Sequence, residues 1–348
     1  NLLAKSLLYS AFFITLPLEL NNNTSKMIEE QELKSFVIGL DLGGTNSVFG
    51  IVDQRGQVLA TTSIKTQSYK TVEDFVDAGI EVLKPIIAKV GGISQIKAMG
   101  IGAPNGNFYR GTIENAANLV WAHDSVVPLA DMFSKRLGIP VGLTNDANAA
   151  AIGEMQYGVA RGMKDFIMIT LGTGVGSGIV VNGQMVYGSD GFAGELGHVI
   201  MVRGAEGRSC GCGRKGCLEA YCSATGVART AREVLQKTLL RDINLEEITS
   251  LDVSIAAGKG DKMALDIFAF TGDMLGAACA DFANFSSPEA FVFFGGLTKA
   301  GDLLMNPIKA AYAKYVLPTY RDNVKFLVSS LDDAAAAVLG ASAIGWEM

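Results

Sequence analysis

Two stretches of sequence decide the fold, and they resemble each other. The first is Phe36-Val-Ile-Gly-Leu-Asp41-Leu-Gly-Gly, and the second is Phe166-Ile-Met-Ile-Thr170-Leu-Gly-Thr-Gly. Each is an apolar run of strand length that ends in glycines and leads into a second strand and a second turn. Two unrelated hairpins could align this well, but here the glycine turns and the following turns match together. The repeat predicts two similar α/β domains that face each other across a cleft. Alignment pairs Asp41 with Thr170, Gly43 with Gly172, Ile51 with Val180, and Gly56 with Gly183.

The rest of the chain alternates strands and helices. We predict a small domain from residues 36–150 with 332–348, and a large domain from 151–331. An alanine-rich helix follows Asn145-Asp146-Ala-Asn148, and Asp332–Met348 reads as a closing helix. Helical spacing of apolar residues predicts helices over 72–90, 226–240 and 262–284, and apolar runs predict strands at Ile96–Ile101, Val141–Leu143 and Ala290–Phe294.

Composition excludes several classes of protein. The chain has 348 residues, of which 49% are hydrophobic and 18% charged, so it has enough apolar material for two cores. Its 29 basic and 35 acidic residues give a net charge of −6, which argues against a general nucleic-acid binder. The 41 glycines cluster without a three-residue period, which excludes collagen and suits close approach of the backbone to a ligand.

The N-terminal segment needs separate treatment. Residues 7–18 form an apolar run after Lys5 that is too short to span a bilayer, and Asn21-Asn22-Asn23 offers no small-residue cleavage site. We predict that residues 1–35 are a leader, with the native start at Met27 and the upstream stretch foreign to the native protein. An uncleaved export signal is the alternative. We expect a cytoplasmic enzyme that does not bind a membrane.

Four of the five cysteines lie within thirteen residues, a clustering that indicates a metal site before disulfides. Cys210-x-Cys212-x4-Cys217, with His198 twelve residues upstream, provides the Cys3His set of a closed structural zinc site. The Cys-x-Cys spacing is tighter than usual, and reduced thiols without metal are the alternative. Cys222 competes for the fourth position but lies in the helix expected after the loop.

Both glycine turns are candidate phosphate cradles, because N–H groups without a neighbouring Cβ form anion-binding concavities. The chain contains no G-x-x-x-x-G-K-S/T motif, which argues against a P-loop NTPase. Gly172-Thr-Gly174-Val-Gly176-Ser-Gly178 departs from G-x-G-x-x-G because Ser177 replaces the third glycine. Each turn alone is equally an ordinary hairpin; paired, they favour nucleotide phosphates on opposite walls of one cleft. We expect Gly44 and Gly174 to adopt backbone conformations that only glycine adopts readily.

Three further motifs make the resemblance to known families specific. Asp41-Leu-Gly-Gly-Thr-Asn46 followed by Thr170-Leu-Gly-Thr-Gly resembles the sugar kinase, actin and heat-shock chaperone superfamily of ATPases. The resemblance runs from about Phe36 to the C-terminus and implies two actin-like, ribonuclease H-like domains around a central cleft, with a zinc-stabilised loop. Asn145-Asp146-Ala-Asn148, Gly194-Glu195-Leu-Gly-His198 and Cys210-Gly-Cys212-Gly-Arg-Lys-Gly-Cys217-Leu-Glu219 together resemble the ROK family of bacterial sugar kinases and repressors, and within it the glucokinases.

The resemblance implies a role for each motif. Asp146, after a strand and at the start of a helix, is the predicted general base for an alcohol acceptor; a helix N-cap is the alternative interpretation. Zinc would hold one ring nitrogen of His198 and leave the other for a sugar hydroxyl. The implied zinc ligands are His198, Cys210, Cys212 and Cys217. The implied sugar-binding residues are Asn105, Asn145, Asp146, Glu195, His198 and Glu219. The implied contacts of ATP and Mg²⁺ are Asp41, Gly43, Gly44, Thr45, Asn46, Gly172, Thr173, Gly174, Gly295 and Gly296.

The predicted activity is ATP-dependent phosphorylation of the 6-hydroxyl of glucose. Another hexose or an N-acetylhexosamine is the alternative substrate. A sugar-responsive repressor would need an N-terminal DNA-binding domain, and only about 35 residues precede the first strand. A non-enzymatic scaffold on the same fold is the third interpretation, which the presence of Asp146 and the sugar carboxylates opposes. We expect a homodimer or homotetramer, and no role for His123.

Overall fold

The computed structural model describes residues 34–237, 247–331 and 333–348. The predicted leader lies outside the described residues except for Lys34 and Ser35. The same holds for residues 238–240 of one predicted helix and for Asp332.

The strands of the described residues form two five-stranded sheets and one small sheet. In chain order they are β1 (Phe36–Leu42), β2 (Asn46–Asp53), β3 (Val58–Lys65), β4 (Ile96–Ala103), β5 (Gly106–Asn107), β6 (Thr112–Glu114), β7 (Val126–Val127), β8 (Val141–Asn145), β9 (Phe166–Leu171), β10 (Val175–Val181), β11 (Gln184–Met185), β12 (Ala290–Phe294) and β13 (Lys325–Val328).

The helices of the described residues include all those that the periodicity predicts, together with α2, α6 and α8. In chain order they are α1 (Val72–Lys89), α2 (Leu129–Leu137), α3 (Asp146–Tyr157), α4 (Glu219–Cys222), α5 (Ala224–Lys237), α6 (Ser250–Gly258), α7 (Lys262–Ser286), α8 (Asp302–Tyr315) and α9 (Asp333–Glu347).

The two large sheets have the same topology. The first has the order β3-β2-β1-β4-β8, and the second has the order β11-β10-β9-β12-β13. In each, the first three strands of the unit pair antiparallel, and the remaining two add in parallel on the other side. The repeated strand, glycine turn and strand are therefore confirmed, and with them the α/β class. The predicted domain boundaries stay a prediction.

Helix α9 packs directly on the first sheet, and two strand glycines make this close approach possible. A Cβ on Gly39 would overlap the carbonyl oxygen of Val338, and one on Gly100 would overlap that of Ala341. Helix α3 also packs against α9 and reaches β4, β9 and β10. Because α3 lies between elements of both sheets, residues at its N-terminus are placed where the two sheets approach each other.

Helix α7 forms the core beside the second sheet. Among the described residues it is the one helix long and apolar enough to cross a bilayer by length and composition alone. Its side chains Leu275 and Cys279 are fully buried, and 56% of its most apolar window is buried inside the protein. A core helix of a soluble protein has the same properties, so the helix is weak support for a membrane span.

Candidate active site

A cavity of about 390 Å³, which we call the inter-sheet cavity, opens between elements of the two large sheets. Asp41 and Gly102 line it from the first sheet, and Thr170 lines it from the second. The N-terminus of α3 contributes Asp146, and the turn after β12 contributes Gly295 and Gly296. The cavity thus brings together four of the predicted site residues, namely Asp41, Asp146, Gly295 and Gly296. Thr170, which aligns with Asp41 in the repeat, is a lining residue that was not among the predicted ones.

The N-cap of α3 is Asn145, and Asp146 is the first residue of the helix. The Asn145 Oδ1 accepts the N–H of Ala147 at 2.9 Å, which is the cap bond. The Asp146 Oδ1 accepts the same N–H at 2.8 Å. The N-cap of α3 is therefore Asn145 and not Asp146. The Asp146 carboxylate is exposed to the cavity.

Two carboxyl groups of the inter-sheet cavity, those of Asp41 and Asp146, have raised pKa values. Partial burial, with a contribution from the negative charge of Asp146, raises the pKa of Asp41 to about 6. Desolvation by the surrounding protein raises the pKa of Asp146, and the hydrogen bond from Ala147 opposes this rise. Clustered carboxylate oxygens suit Mg²⁺, which prefers oxygen ligands and keeps several waters.

The first glycine turn is crowded by a neighbouring segment. The Gly43 N–H donates to the Asn46 carbonyl at 3.1 Å, and the Thr66 hydroxyl donates to the Gly43 carbonyl at 2.7 Å. A Cβ on Gly44 would lie 3.1 Å from the Asn118 carbonyl oxygen. Thr45 and Asn46 are exposed at the tip of the turn.

The second glycine turn is crowded by a carboxylate. The Gly172 N–H donates to the Gly174 carbonyl at 3.1 Å, and the Val175 N–H donates to Glu219 Oε2 at 3.0 Å. A Cβ on Gly174 would overlap that same oxygen. Thr173 is exposed beside the turn.

The prediction that Gly44 and Gly174 need a glycine-only conformation is wrong. Neither residue has a positive φ. A side chain at these positions is opposed instead by neighbouring groups, because Asn118 at the first turn and the Glu219 carboxylate at the second would have to move. By contrast, Gly295 has φ +105, and a Cβ there would lie 2.7 Å from the Leu171 carbonyl oxygen.

A second cavity, of about 630 Å³, is lined by Asn105, Glu195, His198 and Arg214, with Phe192, Val199 and Ile200; we call it the loop cavity. Glu195 precedes a single 3₁₀ turn, Leu196–His198, and its side chain is 53% exposed. The His198 Nε2 lies 3.9 Å from Glu195 Oε2. Partial burial and the charges of Asp146 and Glu219 raise the pKa of Glu195, and His198 opposes this rise. The charge of Asp146 thus acts on carboxyl groups of both cavities.

Asn105 lies on the wall of the loop cavity in a left-handed conformation, with φ +50. Its Nδ2 donates to the carbonyl oxygens of Glu114 at 3.0 Å and Asn115 at 3.1 Å. The amide nitrogen therefore holds its own loop. Asparagine tolerates this left-handed conformation better than most residues do.

The four predicted zinc ligands come together, with all ligand atoms within 4.8 Å of one another. Cys212 and Cys217 Sγ atoms are 3.6 Å apart, and Cys210 Sγ lies 3.7 Å from His198 Nδ1. A tetrahedral site with Zn–S bonds of ~2.3 Å has edges of about 3.8 Å, so these residues fit zinc. Because His198 turns Nδ1 toward the cysteines, its Nε2 faces Glu195.

Cys222 does not belong to this cluster. It is fully buried, and its thiol donates to the Thr271 carbonyl at 3.6 Å on α7. Glu219 links the cysteine cluster to the second glycine turn. Its Oε1 lies 3.5 Å from Cys210 Sγ, and its Oε2 accepts the Val175 N–H. His123 is exposed and pairs with Asp124 at 2.8 Å, away from both cavities.

The segment from His198 to Glu219, which carries the four predicted zinc ligands and which we call the zinc loop, is held by two arginines that the motifs did not predict. The Arg208 guanidinium donates to the carbonyl of Ala220 at 3.2 Å, Thr230 Oγ1 at 2.9 Å and Glu233 Oε2 at 2.6 Å, and lies 4.7 Å from the Tyr221 ring. The Arg214 guanidinium donates to the His198 carbonyl at 2.9 Å. Arg208 lies outside the quoted motifs, and Arg214 lies within the cysteine motif, but the contacts of both depend on the folded loop.

Comparison with known proteins identifies the family. The ROK family model matches residues 37–347. A glucokinase of Halalkalibacterium halodurans is 35% identical over 322 residues, covering 89% of this chain and 93% of the relative. A glucokinase of Streptomyces coelicolor is 37% identical over 289 residues, covering 80% and 88%. A ROK family glucokinase from Streptomyces griseus, crystallised with glucose and AMPPNP, is 35% identical with a TM-score of 0.72, covering 90% of this chain and all of that one. This chain, with its paired actin-like sheets, therefore belongs to the ROK family.

Proposed function

We propose that this protein is a glucokinase, which transfers the γ-phosphoryl group of ATP to the 6-hydroxyl of glucose. The observation that carries the proposal is the placement of Asp146, which begins α3 and lines the inter-sheet cavity together with Asp41. A base in this position can meet both a phosphoryl donor and an alcohol acceptor. The names of the relatives, which are glucokinases at 35–37% identity, support the same activity.

Asp146 accepts the proton of the sugar hydroxyl as the phosphoryl group arrives. Its carboxylate is accessible from the cavity, and its raised pKa brings it closer to the pH at which a general base works best. The backbone of α3 anchors it through the Ala147 N–H, which limits the orientations of the carboxylate.

The sugar is held by carboxylates and an imidazole. Glu195, His198 Nε2 and Glu219 accept or donate hydrogen bonds to hydroxyl groups, each of which is both a donor and an acceptor. We assign Asn105 to the wall of this site and Asn145 to the support of Asp146, since its side chain caps α3.

ATP lies across the inter-sheet cavity, with its phosphates near the two glycine turns and its adenosine near Gly295 and Gly296. The phosphate contacts are Gly43, Gly44, Thr45 and Asn46 on one wall and Gly172, Thr173 and Gly174 on the other. Mg²⁺ would be held on the side of Asp41, where it neutralises charge on the phosphates.

Zinc, bound by His198, Cys210, Cys212 and Cys217, is structural in this proposal. All four positions are filled by protein, so none remains for a substrate. The metal instead orients His198 and fixes the loop that ends at Glu219.

The test is a set of initial rates on a hexose panel with ATP and Mg²⁺. The panel contains glucose, mannose, N-acetylglucosamine and N-acetylmannosamine. We expect the highest kcat/KM with glucose. A higher value with an N-acetylhexosamine would replace the substrate, and no turnover with any sugar would favour a sugar-responsive repressor.

The remaining assignments are proposals of the same kind. We propose two domains, residues 36–150 with 332–348 and residues 151–331, a homodimer or homotetramer, a cytoplasmic location, and no binding of nucleic acid or membrane. Light scattering after size exclusion tests the oligomer, and a mobility-shift assay with random duplex DNA tests the nucleic-acid assignment.

A further inference from the structure

Ser177 is the residue that breaks the G-x-G-x-x-G pattern, and the proposed reaction gives it no role. It lies on β10, and its side chain is 5% exposed. A serine buried in a sheet needs partners for its hydroxyl, because an unpaired buried hydroxyl is costly. The partners are therefore informative.

Both partners flank Glu195. The Ser177 hydroxyl donates to the carbonyl of Gly194, and it accepts the N–H of Leu196 at 3.1 Å. The Leu196 N–H also lies 2.8 Å from the Gly194 carbonyl. One hydroxyl thus joins the carbonyl before Glu195 to the N–H after it, an arrangement that we call the Ser177 clasp.

The backbone around Glu195 is docked closely on β10. Gly194 has φ +95, and a Cβ there would lie 3.3 Å from the Ser177 carbonyl oxygen. A Cβ on Gly197 would overlap the Val175 carbonyl oxygen. The two glycines allow the approach, and the Ser177 hydroxyl provides the polar bonds between strand and turn.

The clasp also acts on the turn that places His198. The His198 N–H donates to the Glu195 carbonyl at 3.1 Å, and the Val199 N–H donates to the Leu196 carbonyl at 3.2 Å. Both bonds are accepted by carbonyls of Glu195 and Leu196, the residues that the clasp holds, so a shift of the clasp changes where Glu195 and His198 face. The Glu195 side chain makes no capping hydrogen bond to this turn, so its direction is set by the backbone at Glu195.

We propose that Ser177 is a positioning residue for sugar binding: its hydroxyl fixes the backbone on both sides of Glu195 and thereby aims the Glu195 carboxylate into the loop cavity. This inference rests on the proposed function, because it takes Glu195 to contact the sugar. Ser177 itself touches neither sugar nor nucleotide in this account.

Two measurements on Ser177→Ala test the inference. In the zinc-loaded protein without sugar, amide hydrogen exchange at Leu196 should accelerate roughly tenfold, since one buried hydrogen bond is lost. In kinetics, the KM for glucose should rise roughly tenfold, while the KM for ATP stays within about twofold and kcat changes little.

A double-mutant cycle with Glu195→Gln separates positioning from general damage. If Ser177 acts through Glu195, Ser177→Ala should raise the glucose KM by less than about twofold when Glu195→Gln is already present. Ser342→Ala is the matched control, because Ser342 is fully buried and donates to the Leu339 carbonyl at 2.8 Å within α9. It should leave both Leu196 exchange and the glucose KM unchanged. If Ser177→Ala does not fold, Ser177→Gly removes the same hydroxyl and replaces it in the cycle.

The outcomes distinguish the inference from the proposed function. A silent Ser177→Ala beside an impaired Glu195→Gln would overturn the clasp alone, as would additive effects in the cycle. An unchanged glucose KM in Glu195→Gln would overturn the sugar role of Glu195, and the inference with it. Faster Leu196 exchange, a higher glucose KM and non-additivity together support the inference.

Discussion

The two glycine hairpins occupy the same place in their sheets but have different neighbours. Asp41 on β1 corresponds to Thr170 on β9, so one hairpin carries a carboxylate where the other carries a hydroxyl. The Thr170 hydroxyl accepts the Gly176 N–H at 3.1 Å and is therefore part of its own hairpin. The two hairpins share one frame, but the first carries a carboxylate of its own strand, whereas the second meets the carboxylate of Glu219 from elsewhere in the chain.

The turns also contact different parts of the molecule. The first is packed against Asn118, whereas the second is packed against Glu219, whose other oxygen contacts Cys210 of the zinc cluster. We therefore expect a change in the second turn to displace Glu219 and to reach Cys210, whereas a change in the first turn meets Asn118. The two copies of the hairpin therefore differ through the segments packed against them, Asn118 at the first and Glu219 at the second.

The largest expected effect on activity is at Asp146, the first residue of the helix α3 that contacts both large sheets. Asp146→Asn should lower kcat by about 10²–10⁴-fold, because the amide cannot accept the proton. Glucose affinity, measured by calorimetry, should stay within a few-fold. Asn145→Ala is the contrast for stability: loss of this cap should cost about 1 kcal/mol of unfolding free energy, which Asp146→Asn should not. Activity of Asp146→Asn near that of the wild type would reduce Asp146 to a structural residue.

The second effect concerns the zinc loop behind the second turn. The purified protein should contain about one zinc per chain, and Cys212→Ser should lose zinc and raise the glucose KM roughly 10–100-fold. Cys222→Ala is the matched control, since Cys222 lies outside the cluster and should retain the metal. Metal analysis that finds no zinc in unchelated protein would contradict the site.

The third effect tests the hairpins directly, through Gly44→Val and Gly174→Val. Gly174→Val should displace Glu219 and raise the glucose KM roughly tenfold or more, with a smaller rise for ATP. Gly44→Val should raise the KM for ATP more than that for glucose, because the valine meets Asn118, distorts a proposed phosphate-binding turn and leaves Glu219 in place. Kinetics with both substrates, after circular dichroism of each variant, make the comparison. Identical profiles for the two variants would remove the distinction between the turns.

The smallest effect is a pH dependence of stability from Asp41. Its folded pKa of about 6 exceeds the ordinary value of 3.8, so the unfolded state binds fewer protons between these pH values. The ionised carboxyl therefore destabilises the fold as pH rises from about 4 to 6, and fully above 6. Asp41→Asn in magnesium-free buffer should raise Tm by a few degrees at pH 7 and by little near pH 4. An equal Tm difference at both pH values would contradict the shifted pKa.

Much of the fold can be predicted because it is encoded locally. The strand–turn repeat depends on apolar runs and glycines, and the zinc cluster depends on residues close in sequence. Helix α8 is absent from the prediction and contains Pro307, which reads as a helix breaker. The strands β5 to β7 and β13 are two to four residues long, too short for a periodic signal.

The parts that could not be predicted depend on contacts between distant residues. Gly174 and Glu219 are 45 residues apart, and only the folded chain shows that a carboxylate fills the space beside Gly174. The same holds for Ser177 against Gly194 and for Arg208 against Glu233. The roles of the site residues stay predictions, and the expectation about the conformations of Gly44 and Gly174 is wrong because their neighbours are distant in sequence.

The most direct test of the central claim is identification of the product by ³¹P NMR after incubation with glucose, ATP and Mg²⁺. We expect glucose phosphorylated at O6 with one ADP formed per sugar, and no phosphorylation of 6-deoxyglucose, which should bind and inhibit. Phosphorylation at another hydroxyl, or of 6-deoxyglucose itself, would contradict the placement of the 6-hydroxyl beside Asp146.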